Sequence, residues 1–171
     1  LLYAGTEFGL FASLDRGGSW VKLGGLPPVA VDDLQVHPRE HDLVIATHGR
    51  SLYVLDDITA LRSLTPENTA KAIHLFPPRP AHGAYLLPGW EDWAGKGNYR
   101  GENPPEGALL TYWIRDLGDE PPTLVITGQD GQPVAAFKLP GTPGLGRVNW
   151  NLRPTKEHLT KYGGMGTEKL V

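Results

Sequence analysis

Residues 46–57 read Ala-Thr-His-Gly-Arg-Ser-Leu-Tyr-Val-Leu-Asp-Asp and set His48 and Arg50 on either side of one glycine. An imidazole and a guanidinium that close could grip a carboxylate or a sugar acid. The same residues suit a tight turn at Gly49, with Arg50 paired to Asp56, Asp57 or Glu7. That structural use is the expected one, because arginine commonly fixes strand ends. Asp32-Asp33 and Asp56-Asp57 are the evident carboxylate pairs. Glycoside hydrolysis needs two carboxyl groups roughly 5–10 Å apart across a cleft. Neighbours on a strand point to opposite faces, so neither pair makes that dyad by itself, and turn capping is expected instead. Trp90-Glu91-Asp92-Trp93, followed by Tyr99, offers rings that stack on sugar faces and carboxylates that accept from sugar hydroxyls. The competing use is to plug the loop onto the rest of the chain, since tryptophan is rarely left in water. Candidate ligand-binding residues are therefore His48, Arg50, Trp90, Trp93 and Tyr99, with no catalytic set among them.

Other chemistry is thinly provided. Of six histidines, only His37 and His41 stand close together, around Pro38, and solvated turn histidines are expected there rather than metal ligands. Neither a phosphate-cradling glycine loop nor a Gly-x-Ser-x-Gly elbow occurs. Cysteine is absent, which excludes disulfides, thiolate-held zinc and thiol nucleophiles. No metal and no cofactor is expected.

The elements that must carry these residues follow from composition. Glycine (22) and proline (16) exceed a fifth of the 171 residues, which excludes a helical bundle and favours a turn-rich β protein. Hydrophobic residues make up 40%, too many for a disordered chain. The net charge of −3 provides no basic footprint, so nucleic acid is not an expected partner. No apolar stretch reaches the length of a membrane span. The chain starts Leu1-Leu2-Tyr3, within an expected strand and without a leader, and reads as a piece of something longer.

Residues 1–58 alternate short apolar runs with turns. Strands are expected at 1–5, 10–14, 20–23, 29–36, 43–47 and 51–55. Leu2-Tyr3-Ala4-Gly5-Thr6 aligns with Leu43-Val44-Ile45-Ala46-Thr47 at an offset of 41, and Leu10-Phe11-Ala12 with Leu52-Tyr53-Val54 at 42. A period of about 40–45 residues with short strands is the pattern of β-propeller blades, each a small sheet that must stack on neighbours. Between the copies lies Ser13-Leu14-Asp15-Arg16-Gly17-Gly18-Ser19-Trp20. An Asp before a tight turn accepts from the turn's N–H groups, and glycine supplies positive φ. Ser13, Asp15, Gly17 and Trp20 are therefore read as a folding staple.

This octapeptide matches the Asp-box pattern, Ser-x-Asp-x-Gly-x-(Thr/Ser)-Trp, of sialidase-like and sortilin-like propellers. Residues 1–64 resemble the last blade region of bacterial Asp-box (BNR-repeat) propeller proteins often described as glycosyl hydrolases. The string from Ala46 to Asp57 is similar to the segment that closes that propeller. Asn103-Pro104-Pro105-Glu106-Gly107-Ala108 resembles the start of the small immunoglobulin-like domain that follows in such proteins. Gly146-Arg147-Val148-Asn149-Trp150-Asn151-Leu152-Arg153 resembles its later Trp-containing strand. The resemblance implies a non-catalytic C-terminal fragment that closes the propeller and aids carbohydrate binding. The alternatives are a sortilin-like propeller that captures peptides or proteins, or a purely structural cap. Sialidases hold the substrate carboxylate with three arginines; here only Arg50 is placed like one of them. Family members are usually periplasmic or extracellular, and the remaining blades of its own propeller are the implied partner.

The expected architecture is mainly β. A terminal blade region spans 1–58, a connector and irregular loop 59–107, and a partial immunoglobulin-like sandwich 108–171. Short helical turns are expected between 58 and 72, a proline-stiffened connector at 74–80, and a helical turn in 155–166. Strands are expected at 108–115, 123–127, 134–139 and 147–152, with a hairpin turn at 128–132.

Overall fold

The computed structural model describes residues 1–81, 83, 106–116, 118 and 120–154. The chain is mainly β, built of small antiparallel sheets, and divides into two compact units, Leu1–Lys71 and Ala72–Val171.

In the first unit, β1 (Leu2–Thr6), β2 (Gly9–Ser13) and β3 (Val21–Lys22) form one sheet; β4 (Val31–Val36), β5 (Leu43–Thr47) and β6 (Leu52–Leu55) form another. Register shows how far the sequence repeat reaches. β1 pairs Leu2 with Ser13, Tyr3 with Ala12, Ala4 with Phe11 and Gly5 with Leu10. β5 pairs Leu43 with Leu55, Val44 with Val54, Ile45 with Tyr53 and Ala46 with Leu52. Adding the sequence offset to the first set reproduces the second, pair for pair. Both hairpins also close alike at their ends. Thr6 Oγ1 donates to the Gly9 carbonyl at 3.0 Å, and Thr47 Oγ1 donates to the Ser51 carbonyl at 2.6 Å, across a loop one residue longer.

The two hairpins nevertheless bury opposite faces. Residues directly opposite across a pair share a face, so Tyr3, Gly5, Leu10 and Ala12 form one face of the first hairpin. That face is the inward one: Leu10 is buried, and Tyr3 packs on the same cluster. From the second hairpin, the cluster takes Leu43, Ile45, Tyr53 and Leu55, the counterparts of Leu2, Ala4, Phe11 and Ser13. Val31, Ile58 and Leu61 complete it. The contact is close enough that a Cβ on Gly5 would lie 2.6 Å from Val31 Cγ1. Glycine stands there because nothing larger fits.

Two short helices follow. In α1 (Thr59–Arg62), Ala60 and Leu61 are buried; α2 (Pro66–Ala70) starts with Pro66 after the Thr65 cap, whose Oγ1 accepts from the Asn68 N–H.

In the second unit, β7 (Ile73–Leu75), β8 (Ala108–Ile114) and β11 (Gly144–Trp150) form a sheet with β8 central; β9 (Thr123–Thr127) and β10 (Pro133–Lys138) form a hairpin. Tyr112, Ile114 and Leu139 make its buried cluster, with Leu124 packed against them. The stretch expected as connector begins as a strand: His74 pairs with Trp113, and the Phe76 N–H donates to Thr111. The prolines after Phe76 do end the pairing, since proline has no N–H to give. Pro133 sits beside a register irregularity in β10, where a missing donor is tolerated. The helical turn expected in 155–166 lies outside the described residues.

Candidate functional site

The loop joining β2 to β3 is held by a cluster of side-chain hydrogen bonds. Asp15 Oδ1 accepts from Ser13 Oγ at 2.8 Å and from the Ser19 N–H at 2.8 Å; Oδ2 accepts from Ser19 Oγ at 2.7 Å. Ser13, fully buried, accepts in turn from the Gly17 N–H at 2.7 Å. Arg16 and Gly17 both have positive φ, 63° and 100°, and the turn depends on glycine at the second. Trp20, at the end of the loop, remains 43% exposed. Both carboxylate oxygens of Asp15 are thus engaged by their own loop.

These bonds hold the Asp15 carboxyl well below the usual carboxylate range. The Ser19 hydroxyl contributes most, then the Ser19 N–H and the Ser13 hydroxyl, against a small opposing effect of desolvation. Because the folded-state value is lowered, the ionised loop stabilises the fold fully above the ordinary carboxylate value of about 3.9. That contribution fades as pH falls further toward the folded-state value. Asp15→Asn keeps one acceptor but presents an N–H₂ to groups that only donate or rotate. The variant is expected to melt below the wild type at pH 7, with the gap narrowing below about pH 4. Melting curves at pH 7, 5, 4 and 3 test this; a gap constant across that series contradicts it.

The second cluster lies at the turn between β5 and β6 and beside the start of β4. His48 Nδ1 stands 3.4 Å from Asp32 Oδ2, the two side chains being 83% and 55% exposed. The His48 N–H donates to the Ala30 carbonyl, tying this turn to the residues before β4. Gly49 has φ 74° and Ser51 φ 68°, so the turn is tight as expected. Arg50 is exposed, and the expected pairing with Asp56, Asp57 or Glu7 is not among the ion pairs between described residues.

Asp32 and Asp33 lie at an irregularity of β4 that the sequence did not announce. The register shifts between Val31, opposite Thr47, and Asp33, opposite Ala46, so Asp32 is the extra residue of a β-bulge. A bulge interrupts strict alternation and re-aims the side chain. Both aspartates are exposed, Asp32 beside His48 and Asp33 accepting from the Leu34 N–H at 2.8 Å. Asp57, by contrast, is buried. Its Oδ1 accepts from the Thr59 N–H at 3.1 Å and from Thr59 Oγ1, and its own N–H donates to Asp42 Oδ1 at 2.8 Å. It anchors the entry of α1, and Asp42 is a contributor that the sequence reading passed over. The only cue to Asp42 was an acidic residue just before an apolar strand.

His37 Nδ1 accepts from the Glu40 N–H at 3.1 Å, so its ring caps a turn. Among the described residues, no three His, Asp or Glu gather as a metal site, and no helix is long and apolar enough to cross a membrane. Trp90, Trp93 and Tyr99 lie outside the described residues. What remains near β4 is the exposed His48–Asp32 pair, and exposed pairs of this kind contribute little to stability. No family model, curated protein or solved structure matches the chain.

Proposed function

We propose that this chain is a non-catalytic stacking module from the C-terminal part of an Asp-box propeller protein. Its first unit supplies blade sheets, and its second resembles an immunoglobulin-like accessory domain. The observation that carries the reading is the register-identical pair of hairpins burying opposite faces: a sheet built that way is made to sit between two others. The fate of the carboxylates supports a role without turnover. Asp15 serves its loop, Asp57 serves α1, and Asp32 and Asp33 stand exposed on one strand. Carbohydrate contact, in this reading, falls to Trp90, Trp93 and Tyr99, with the cationic edge of Arg50 available to an acidic sugar.

A glycan array together with a panel of chromogenic glycosides, sialosides included, tests both halves. Binding without turnover is expected, with binding lost in the Trp90→Ala/Trp93→Ala variant. Binding that survives the double variant removes the sugar platform. Turnover abolished by Asp32→Asn or His48→Ala overturns the non-catalytic reading.

A further inference from the structure

The turn between β4 and β5 holds more than its own two strands. His37 opens a turn whose second residue is Pro38, the place where Asp, Asn or Ser usually stands to accept from the backbone. Here the ring takes that part: Nδ1 accepts from the Glu40 N–H at 3.1 Å. The His41 N–H donates to the His37 carbonyl at 3.0 Å, and the His37 N–H donates to the Asp42 carbonyl at 2.8 Å. So fastened, the turn offers two acceptors to the junction of β6 and α1. The His41 carbonyl accepts from the Ile58 N–H at 2.9 Å, and Asp42 Oδ1 accepts from the Asp57 N–H at 2.8 Å. Asp57 and Ile58 are both buried, and Ile58 belongs to the core cluster. His41 and Asp57 both have positive φ, 55° and 46°. Residues other than glycine keep that conformation only where their surroundings hold them in it. The bonds that join turn and junction run through these two residues and their immediate neighbours.

We propose that His37 makes this clasp acid-sensitive: protonation of its ring unfastens the β4–β5 turn and loosens the turn's hold on Asp57 and Ile58. Nδ1 accepts only while it carries no proton. An imidazolium presents an N–H at both ring nitrogens. In the cation, two N–H groups would face each other where the bond to Glu40 now lies. Histidine is the residue type that changes charge between about pH 5 and 8. His37 is exposed, so a proton reaches it in the folded chain. The cap is therefore present while the ring is neutral and lost as pH falls through the imidazole range. The other charged or titratable groups of the turn are Arg39 and Glu40, paired at 2.6 Å, with His41 and Asp42; Asp56 and Asp57 come from the junction. None of this depends on how the sheets stack.

Amide hydrogen exchange on the 171-residue chain, followed by NMR from about pH 7.5 down to about pH 5, tests it. The rate at the Ile58 amide is divided by that of an unstructured chain at the same pH. The His37 ring protons report its protonation in the same samples. In the wild type, protection at Ile58 is expected to fall roughly two- to tenfold as the ring protonates, the factor that one lost hydrogen bond corresponds to. His37→Asn puts a carbonyl oxygen at the position of Nδ1, and that oxygen takes up no proton in this range; full protection should persist throughout. His37→Ala should show the lowered protection already at the upper end of the range. Wild-type protection that stays level while the ring titrates overturns the proposal, as does full protection in His37→Ala. A pH response that survives intact in His37→Asn overturns it too, because His41 is still present there and would then carry the response. If His37→Ala fails to fold, the wild type and His37→Asn decide between them.

Discussion

Leu10→Ala is expected to destabilise the first unit by about 2–5 kcal/mol, while Leu52→Ala at the matching repeat position costs less than about 0.5 kcal/mol. The two leucines occupy the same place in the same hairpin register, so strand propensity and backbone geometry cancel in the comparison. Only surroundings differ: Leu10 is 2% exposed within the cluster of Val31, Leu43 and Ile45, and Leu52 is 65% exposed. Truncating the first leaves a cavity lined by branched side chains that relax only partly; truncating the second removes a side chain already in water. Urea denaturation measures both. Equal losses would mean that the hairpins do not bury opposite faces, and the stacking reading would fall with that.

Gly107→Ala is expected to cost as much in the second unit. Gly107 has φ 100°, and a Cβ there would lie 2.0 Å from the Trp150 carbonyl oxygen and 2.8 Å from Asn151 Cα. Both neighbours are backbone, held by the pairing of Ala108 with Trp150, so neither can swing away. Left-handed strain contributes about 1–3 kcal/mol and overpacking about as much again. Gly131→Ala is the control: its φ is 76°, but nothing lies within 4 Å of the added atom. It should cost only the conformational part, about 1–2 kcal/mol. If Gly107→Ala unfolds at the same denaturant concentration as Gly131→Ala, the close approach of β11 to residue 107 is wrong. Gly146 makes the same point with a side chain, because its Cβ would meet the Tyr112 ring at 2.3 Å from directly across the sheet.

Much of the strand order was legible because apolar runs in this chain are short and bounded by glycine, proline or aspartate. The repeat was legible for a stronger reason: the same residue types recur at the same spacing, and register depends on little else. Three features were not. The bulge at Asp32 leaves no mark in a run of strand-forming residues, so an uninterrupted pairing was expected there. The pairing of His74 with Trp113 joins residues 39 apart, and the prolines beyond Phe76 concealed a strand that ends just before them. Arg50 was expected to find a carboxylate because arginine commonly fixes strand ends, yet it is exposed, and no ion pair of its own stands among those between described residues. The Asp15 loop sits between these cases. Its acceptor and its glycine were readable, whereas the role of Ser19, which donates from both backbone and side chain, needed coordinates.

The threonine that closes each hairpin has a practical corollary. Thr6 and Thr47 reach the carbonyl across spans of three and four residues, and the strands behind them keep identical alignment. The latch, rather than the number of residues it encloses, fixes how the hairpin zips. A short foreign peptide spliced between His48 and Arg50 would therefore ride outside the latch, displayed on a frame that does not register its presence.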